Sequence, residues 1–330
     1  MSSPDFRITA LSPSASFGEA VRTHWREYVM EFSGTGALMF CICLFGTLLY
    51  SNASPLARFA LSRPENAAAM GMCVASTTLL IIRSPFGRRS GAHFNPAMTL
   101  SYLWLGRIHL WDALSYVAAQ FSGALAGVCI ARQLLGLSLS ADPVHYVVTV
   151  PGSYGSGAAF IAEFLLSALL MGVVLFATNH RTLARFSPLL VAAVTVFYFA
   201  ICSSISGFSV NPARTFSSAI FAGIWWGIWI YFIAPCLGML AAAGIYIRTF
   251  GPSRVYCAKV FHDLHSTCPF PCRFADLEHE MERQTPMSVH VLAHGDATAS
   301  GSDQTAGSCK ICQSCSMMTE EMSSSQRRQK

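Results

Sequence analysis

The sequence predicts an all-α membrane protein with six transmembrane helices and two re-entrant half-helices in an inverted repeat. Three observations carry this. The 330 residues are 12% charged and 53% hydrophobic, about half the roughly 25% charge of a soluble chain. Six stretches are long and apolar enough to cross a bilayer. Two shorter apolar stretches, each opening on Asn-Pro-Ala, hold matching places in the two halves of the chain.

The charge is unevenly spread. Residues 28–247 hold fifteen charged side chains and no lysine, whereas residues 248–330 hold nine basic and nine acidic ones. The first part is suited to hydrocarbon and the second to water. This divides the chain into an N-terminal segment (1–27), a membrane body (28–247) and a polar tail (248–330) expected to be disordered. Residues 1–27 carry Arg7, Arg22 and Arg26 and lack the apolar core of a secretory signal. The composition excludes a DNA-binding domain, a secreted disulfide scaffold and a disordered chain. A net charge of +5 and a pI near 8.6 are too mild for a nucleic-acid partner.

A helix needs about 20 mostly apolar residues to span a bilayer. The segments that qualify are 28–50, 66–83, 110–135, 157–178, 187–206 and 224–247. Breaks such as Ser54-Pro55, Ser84-Pro85, Pro151-Gly152 and Asn179-His180-Arg181 separate them. Arg83, Arg88, Arg89, Arg181 and Arg185 follow the second and fourth spans. Positive loops stay inside the cell, so both termini are expected to be cytoplasmic, although Arg58 and Arg63 in the first loop weaken the contrast.

The stretches Asn95–Gly106 and Asn211–Gly223 are too short to cross, at about 18 Å of helix each. Asn is a favoured N-cap and Pro a favoured first helical residue, so both read as half-helices with defined starts. Irregular backbone at membrane depth survives only inside protein or along a watery cavity. The flanking sequence repeats too. Glu31-Phe32 opens the first span and Glu163-Phe164 the fourth. Ser90-Gly91-Ala92-His93-Phe94-Asn95-Pro96-Ala97 follows the second span, and Ser206-Gly207-Phe208-Ser209-Val210-Asn211-Pro212-Ala213 follows the fifth. Each half (28–135 and 157–247) has three spans, an odd number, so the second copy is inverted. Such repeats place their site at the midplane.

With these residues in place, the sequence resembles the aquaporin, or major intrinsic protein, family. The likeness rests on the double Asn-Pro-Ala motif, Arg214 directly after the second copy, the Glu-Phe pairs, Gln120 with Gly123-Ala124, and Ala234-Pro235. It covers about residues 28–247 and not the tail. It implies an hourglass channel in each subunit of a homotetramer, in contact with lipid, with no cofactor and no enzymatic activity.

On that reading Asn95, Pro96, Ala97 and Asn211, Pro212, Ala213 form the pore motif. Two helix N-termini meet at mid-membrane, each bearing roughly half a positive charge. The two asparagine amides orient a passing water, and the positive ends repel protons and cations. The backbone carbonyls of Gly91, Ala92, His93, Gly207 and Ser209 are candidates to line the lumen. His93 reads as a buried histidine bonded to loop backbone rather than a proton relay. Glu31 and Glu163 read as supports for the re-entrant loops. Arg214 is the main selectivity candidate, because a fixed guanidinium offers donors and repels cations. The resemblance places Phe208, Phe199 and a second-span residue beside it; Met70 is the choice for the last, with Ala75 the other candidate.

The aromatic at Phe208 resembles the glycerol-conducting branch, whereas Thr215, Ala219, Tyr231-Phe232 and bulky Phe199 lean towards water. The expected function is therefore a water channel, with small neutral solutes such as glycerol or urea, or a non-conducting scaffold, as alternatives. A secondary transporter would carry more ionisable residues at the midplane. No nucleophile with a base, phosphate loop or carboxylate pair suggests an enzyme.

In the tail, Cys268-Pro-Phe-Pro-Cys272 and Cys309-Lys-Ile-Cys312-Gln-Ser-Cys315 have metal-like spacing, near His262, His265 and His279. Yet 36 residues of mostly polar sequence separate the clusters. A structural zinc wants paired ligand sets on a folded segment. The expectation is free thiols on a disordered tail and no metal, ahead of zinc or redox sensing. Cys257 is a palmitoylation candidate, and the sequon at Asn52 lies too near the membrane to expect use.

Overall fold

The computed structural model describes residues 16–59, 62–262 and 268–277. Its helices are α1 (Phe17–Tyr50), α2 (Arg63–Arg83), α3 (Pro85–Ser90), α4 (Pro96–Trp104), α5 (Leu110–Leu135), α6 (Leu137–Ser140), α7 (Gly155–Thr178), α8 (Ser187–Ser206), α9 (Pro212–Ala222) and α10 (Ile228–Phe250). There is no strand among the described residues. Six helices are long and apolar enough to cross a membrane: α1, α2, α5, α7, α8 with its preceding turn, and α10. The protein is a multi-pass integral membrane protein.

The start of α2 follows directly from local sequence. Ser62 and Glu65 form a capping box, and Pro64 sits in the first turn, satisfying backbone donors that a bare helix end would leave open. Pro85 after the Ser84 cap starts the short α3, within the stretch that the sequence marks only as a break.

The repeat appears as two matched helix pairs, α1 against α5 and α7 against α10, with α2 crossing α8. Glycine permits the closest approaches. A Cβ on Gly127 would lie 2.2 Å from the Gly36 carbonyl oxygen, and one on Gly238 would lie 2.2 Å from that of Phe164. Close backbone contact of this kind drives helix association in lipid. The half-helices α4 and α9 fill the space the pairs enclose, and their N-terminal ends meet in the main core.

Two boundaries differ from the sequence expectation. First, α1 begins at Phe17 rather than near Tyr28. Ser16 caps it, accepting from the Glu19 N–H at 3.3 Å. Three of its polar residues are partnered: Arg89 Nε reaches Glu27 at 2.7 Å, while Tyr28 and His24 reach Asp112 at 2.6 and 2.8 Å. Second, the folded chain does not stop near Ile247. Val255, Tyr256, Cys257, Ala258, Lys259 and Val260 are all buried, as are Phe270, Phe274 and Leu277. The expected disorder fails for this first stretch of the tail, because an apolar run within it packs against the membrane body. His265, His279, Cys309, Cys312 and Cys315 lie outside the described residues.

Candidate functional site

The site is built from two loops that leave their helices in the same way. Gly91 and Gly207 end α3 and α8 in the left-handed region, with φ of 94° and 74°. Ala92, Phe94, Phe208 and Val210 also have positive φ, between 47° and 56°. Such backbone costs non-glycine residues of order 1–3 kcal/mol each and persists only where its surroundings hold it.

The holding groups are the paired glutamates. Both are fully buried. Glu31 accepts from Ser90 Oγ (2.7 Å), His93 N (3.1 Å), Phe94 N (2.7 Å) and Gln120 Nε2 (2.9 Å). Glu163 accepts from Ser206 Oγ (2.8 Å), Ser209 N (2.9 Å) and Val210 N (2.7 Å). Tyrosines repeat the symmetry: Tyr116 donates to the Ser90 carbonyl and Tyr231 to that of Ser206. Each carboxylate satisfies the donors that a tight loop would otherwise bury unpaired.

Asn95 and Asn211 are the N-caps of α4 and α9. Their side-chain oxygens accept from Ala97 N (2.9 Å) and Ala213 N (3.0 Å), with Pro96 and Pro212 next in each helix. Their amides also clasp the opposite loop. Asn95 Nδ2 donates to the Val210 carbonyl at 2.7 Å, and Asn211 Nδ2 to that of Phe94 at 2.8 Å. One N–H of each amide is thereby used across the repeat, and the other remains for the lumen. The sequence places the two residues side by side but does not reveal this exchange.

Both asparagines line an internal cavity, together with Ala92, His93, Phe208, Ser209 and Arg214. Val74, Thr78 and Ile82 of α2 line it as well. Their spacing of four marks one helix face. Met70 is buried one turn further along that face but does not reach the cavity, and Ala75 lies off it. Gly91 and Gly207 are likewise absent from the lining.

Arg214 is 6% exposed. Its Nη1 donates to Thr149 Oγ1 at 2.8 Å. Thr149 contacts Thr215 Oγ1 at 2.7 Å, Thr215 contacts Ser209 Oγ, and Ser209 donates to the Asn211 carbonyl at 3.0 Å. The hydroxyls run in one direction from the guanidinium to the pore motif, each donating one hydrogen bond, and Ser209 Oγ also accepts from the Asn211 N–H at 3.4 Å. Phe199 and Phe208 meet edge to face beside the cavity, with centroids 4.6 Å apart. Sequence reasoning missed Thr149, which sits in the α6–α7 connection without a motif around it.

The opposite end of the cavity, on the side of the chain termini, carries the unexpected buried segment. Val260 lines the cavity, and its N–H donates to the Gly91 carbonyl at 3.0 Å. That carbonyl, expected to face permeant, is therefore taken by protein. His93 Nε2 bonds the Ala258 carbonyl at 2.8 Å, and its ring lies between Tyr102 and Phe270 at 5.0 and 5.5 Å. The histidine is buried and bonded to backbone, but to the post-membrane segment rather than to the loop backbone expected.

A cavity between two opposed Asn-capped half-helices in an inverted repeat is a channel architecture, and comparison with known proteins agrees. The family model described as Major intrinsic protein matches residues 19–246. The chain belongs to that family. Aquaporin NIP3-1 of Zea mays is 35% identical over 230 residues, covering 67% of this chain and 69% of the relative. Aquaporin A of Dictyostelium discoideum is 30% identical, covering 67% and 77%. The X-ray structure of the aquaglyceroporin from Plasmodium falciparum shares the fold with a TM-score of 0.58 at 23% identity, covering 70% of this chain and 98% of that one. The protein is thus a major intrinsic protein channel with the aquaporin fold, not an enzyme. The family match stops short of residues 255–277.

Proposed function

We propose that the chain is a passive water channel that excludes protons and ions. It works as a homotetramer with both termini in the cytoplasm. The observation that carries this reading is the clasp of Asn95 and Asn211. It fixes two amide donors at the meeting point of two positive helix ends, inside the cavity. A water there accepts from both amides and turns its hydrogens outward, which interrupts a proton-conducting file. Arg214, braced by Thr149 beside the Phe199–Phe208 pair, forms the constriction, with Val74 of α2 on the facing wall in place of the expected Met70. A lumen narrowed by two rings and a guanidinium passes water and little else.

A second reading is conduction of small neutral solutes such as glycerol or urea. The cavity wall favours it, since Leu38, Ile42, Val74, Leu170 and Val191 give an apolar face for a carbon backbone.

Purified full-length protein in liposomes tests both. Osmotic shrinkage reads water flux, re-swelling reads glycerol and urea, and an internal dye reads protons. Water flux well above empty liposomes, with low solute and proton entry, is expected. Arg214→Ala should raise proton and solute entry while keeping water flux. Flux equal to empty liposomes, in the native chain and in variants that loosen the segment at the mouth alike, overturns the channel reading. Unchanged exclusion in Arg214→Ala overturns the constriction.

A further inference from the structure

Just past the last membrane helix, four metal-ligating side chains converge. Cys257, His262, Cys268 and Cys272 each present one ligand atom, and all four atoms lie within 4.8 Å of one another. The Cys257 and Cys268 sulfurs are 3.4 Å apart, and His262 Nε2 is 3.1 Å from the Cys272 sulfur. Tetrahedral zinc has Zn–S near 2.3 Å and Zn–N near 2.0–2.1 Å, which sets ligand edges of about 3.5–3.8 Å. A single ion fits this cluster with shifts of about half an ångström or less per ligand. Three thiols and an imidazole with no carboxylate are a soft donor set that selects zinc over magnesium or calcium. The His262 ring is held in plane against Phe274, 4.2 Å away at 8°, which restricts its orientation.

The ligands also bracket the residues at the pore mouth. Cys257 and His262 flank the stretch whose Ala258 carbonyl bonds His93 and whose Val260 N–H bonds Gly91. Ser187 Oγ donates to the Val260 carbonyl at 2.6 Å and ties the stretch to α8. Cys268 and Cys272 flank Phe270, which stacks on His93 with the rings 2° from parallel. Both pieces of chain that cover the first re-entrant loop therefore lie between two ligands of the same cluster. An ion there fastens both to one point.

We propose that Cys257, His262, Cys268 and Cys272 form a zinc site that latches the 255–261 segment in the terminus-side mouth of the pore, so that bound metal restricts flux. The metal site stands on its own geometry, whereas the latch rests on the channel reading. The residues lie outside the stretch that matches the family, so the family match itself does not carry the device.

The test uses reduced full-length protein and zinc alone. One zinc per chain by elemental analysis is expected, and cobalt in its place should give the visible absorption of a tetrahedral thiolate site. Cys272→Ser should lose both signals. In liposomes, stripping zinc from the native protein with a chelator should raise water flux severalfold, and zinc should restore the low value. Because the native protein is measured with and without metal, the result does not depend on a variant folding. Failure of the reduced protein to bind zinc overturns the site. Stoichiometric zinc with flux indifferent to chelation overturns the latch. Flux at the level of empty liposomes in every metal state, with zinc bound, removes the gating role through failure of the channel reading and leaves the metal site standing.

Discussion

The two re-entrant loops share a frame and differ in what covers them. In both, a buried glutamate gathers loop N–H groups, a serine hydroxyl and positive-φ backbone into one tight turn ahead of an Asn-capped half-helix. In the first, His93 faces the post-membrane segment through Ala258 and Phe270. In the second, the equivalent Ser209 joins a hydroxyl chain to Arg214. The shared part builds a pore. The unshared part differs at each end: the post-membrane segment covers the first loop, and a buried, braced guanidinium stands beside the second.

Removing the frame should have the largest effect. Glu31→Gln and Glu163→Gln each keep one acceptor oxygen but turn an amide towards the loop donors. An unsatisfied buried donor costs about 1–3 kcal/mol, and the already strained turns have no slack. Both variants should lose thermal stability in detergent and yield little monodisperse protein. Glu31 serves four donors and Glu163 three, so Glu31→Gln should be the worse of the two. Melting temperatures within a degree or so of native would show that the loops hold their shape without the carboxylates. An equal loss in both would show that Gln120 adds nothing to the first loop.

These glutamates were legible in the sequence because their signals are local and repeated. Charge is costly in a bilayer, so two carboxylates at matching places in two copies stand out. The half-helices were legible for the same reason, since Asn-Pro is a start signal wherever it occurs. What escaped is long-range. Nothing near Thr149 distinguishes it from other loop hydroxyls; only the fold brings it to Arg214, 65 residues away. The segment at the mouth escaped through averaging. Val255-Tyr256-Cys257-Ala258-Lys259-Val260-Phe261 is largely apolar, but the balanced charge of the whole tail masked it. The metal-like spacing in the sequence points to two distant cysteine clusters, Cys268 with Cys272 and Cys309 with Cys312 and Cys315. The ligands that converge are instead Cys257 and His262 with the first pair.

At the second loop, the aromatic pair sets the next effect in size. Phe208→Ala removes a ring that meets Phe199 at 4.6 Å and borders the cavity. The loop frame uses backbone N–H groups of Ser209 and Val210 rather than the Phe208 side chain, so the fold should survive. Glycerol and urea re-swelling should rise clearly above native, with water flux retained. The corresponding first-loop change, Ala92→Gly, should leave solute entry alone. Equal solute entry in Phe208→Ala and native protein would place the narrowest point elsewhere, with Val74 on the α2 face the next position to change.

The smallest effect is expected from Thr149→Val, and it separates two roles of the constriction. The substitution removes the acceptor for Arg214 Nη1 and the contact to Thr215 while nearly keeping side-chain volume. Pore water can take over the lost acceptor role, so the stability loss should stay near 1 kcal/mol, the usual net worth of a hydrogen bond. The guanidinium keeps its charge but loses its brace. Rejection of protons and cations depends on that charge and on the helix ends, and both remain; size discrimination depends on where the guanidinium is held. Thr149→Val should therefore admit more urea and glycerol with proton entry unchanged, whereas Arg214→Ala admits both. A proton leak in Thr149→Val as large as in Arg214→Ala would mean that position, not charge alone, excludes protons at this end. The Asn95–Asn211 clasp would then be insufficient as the proton barrier.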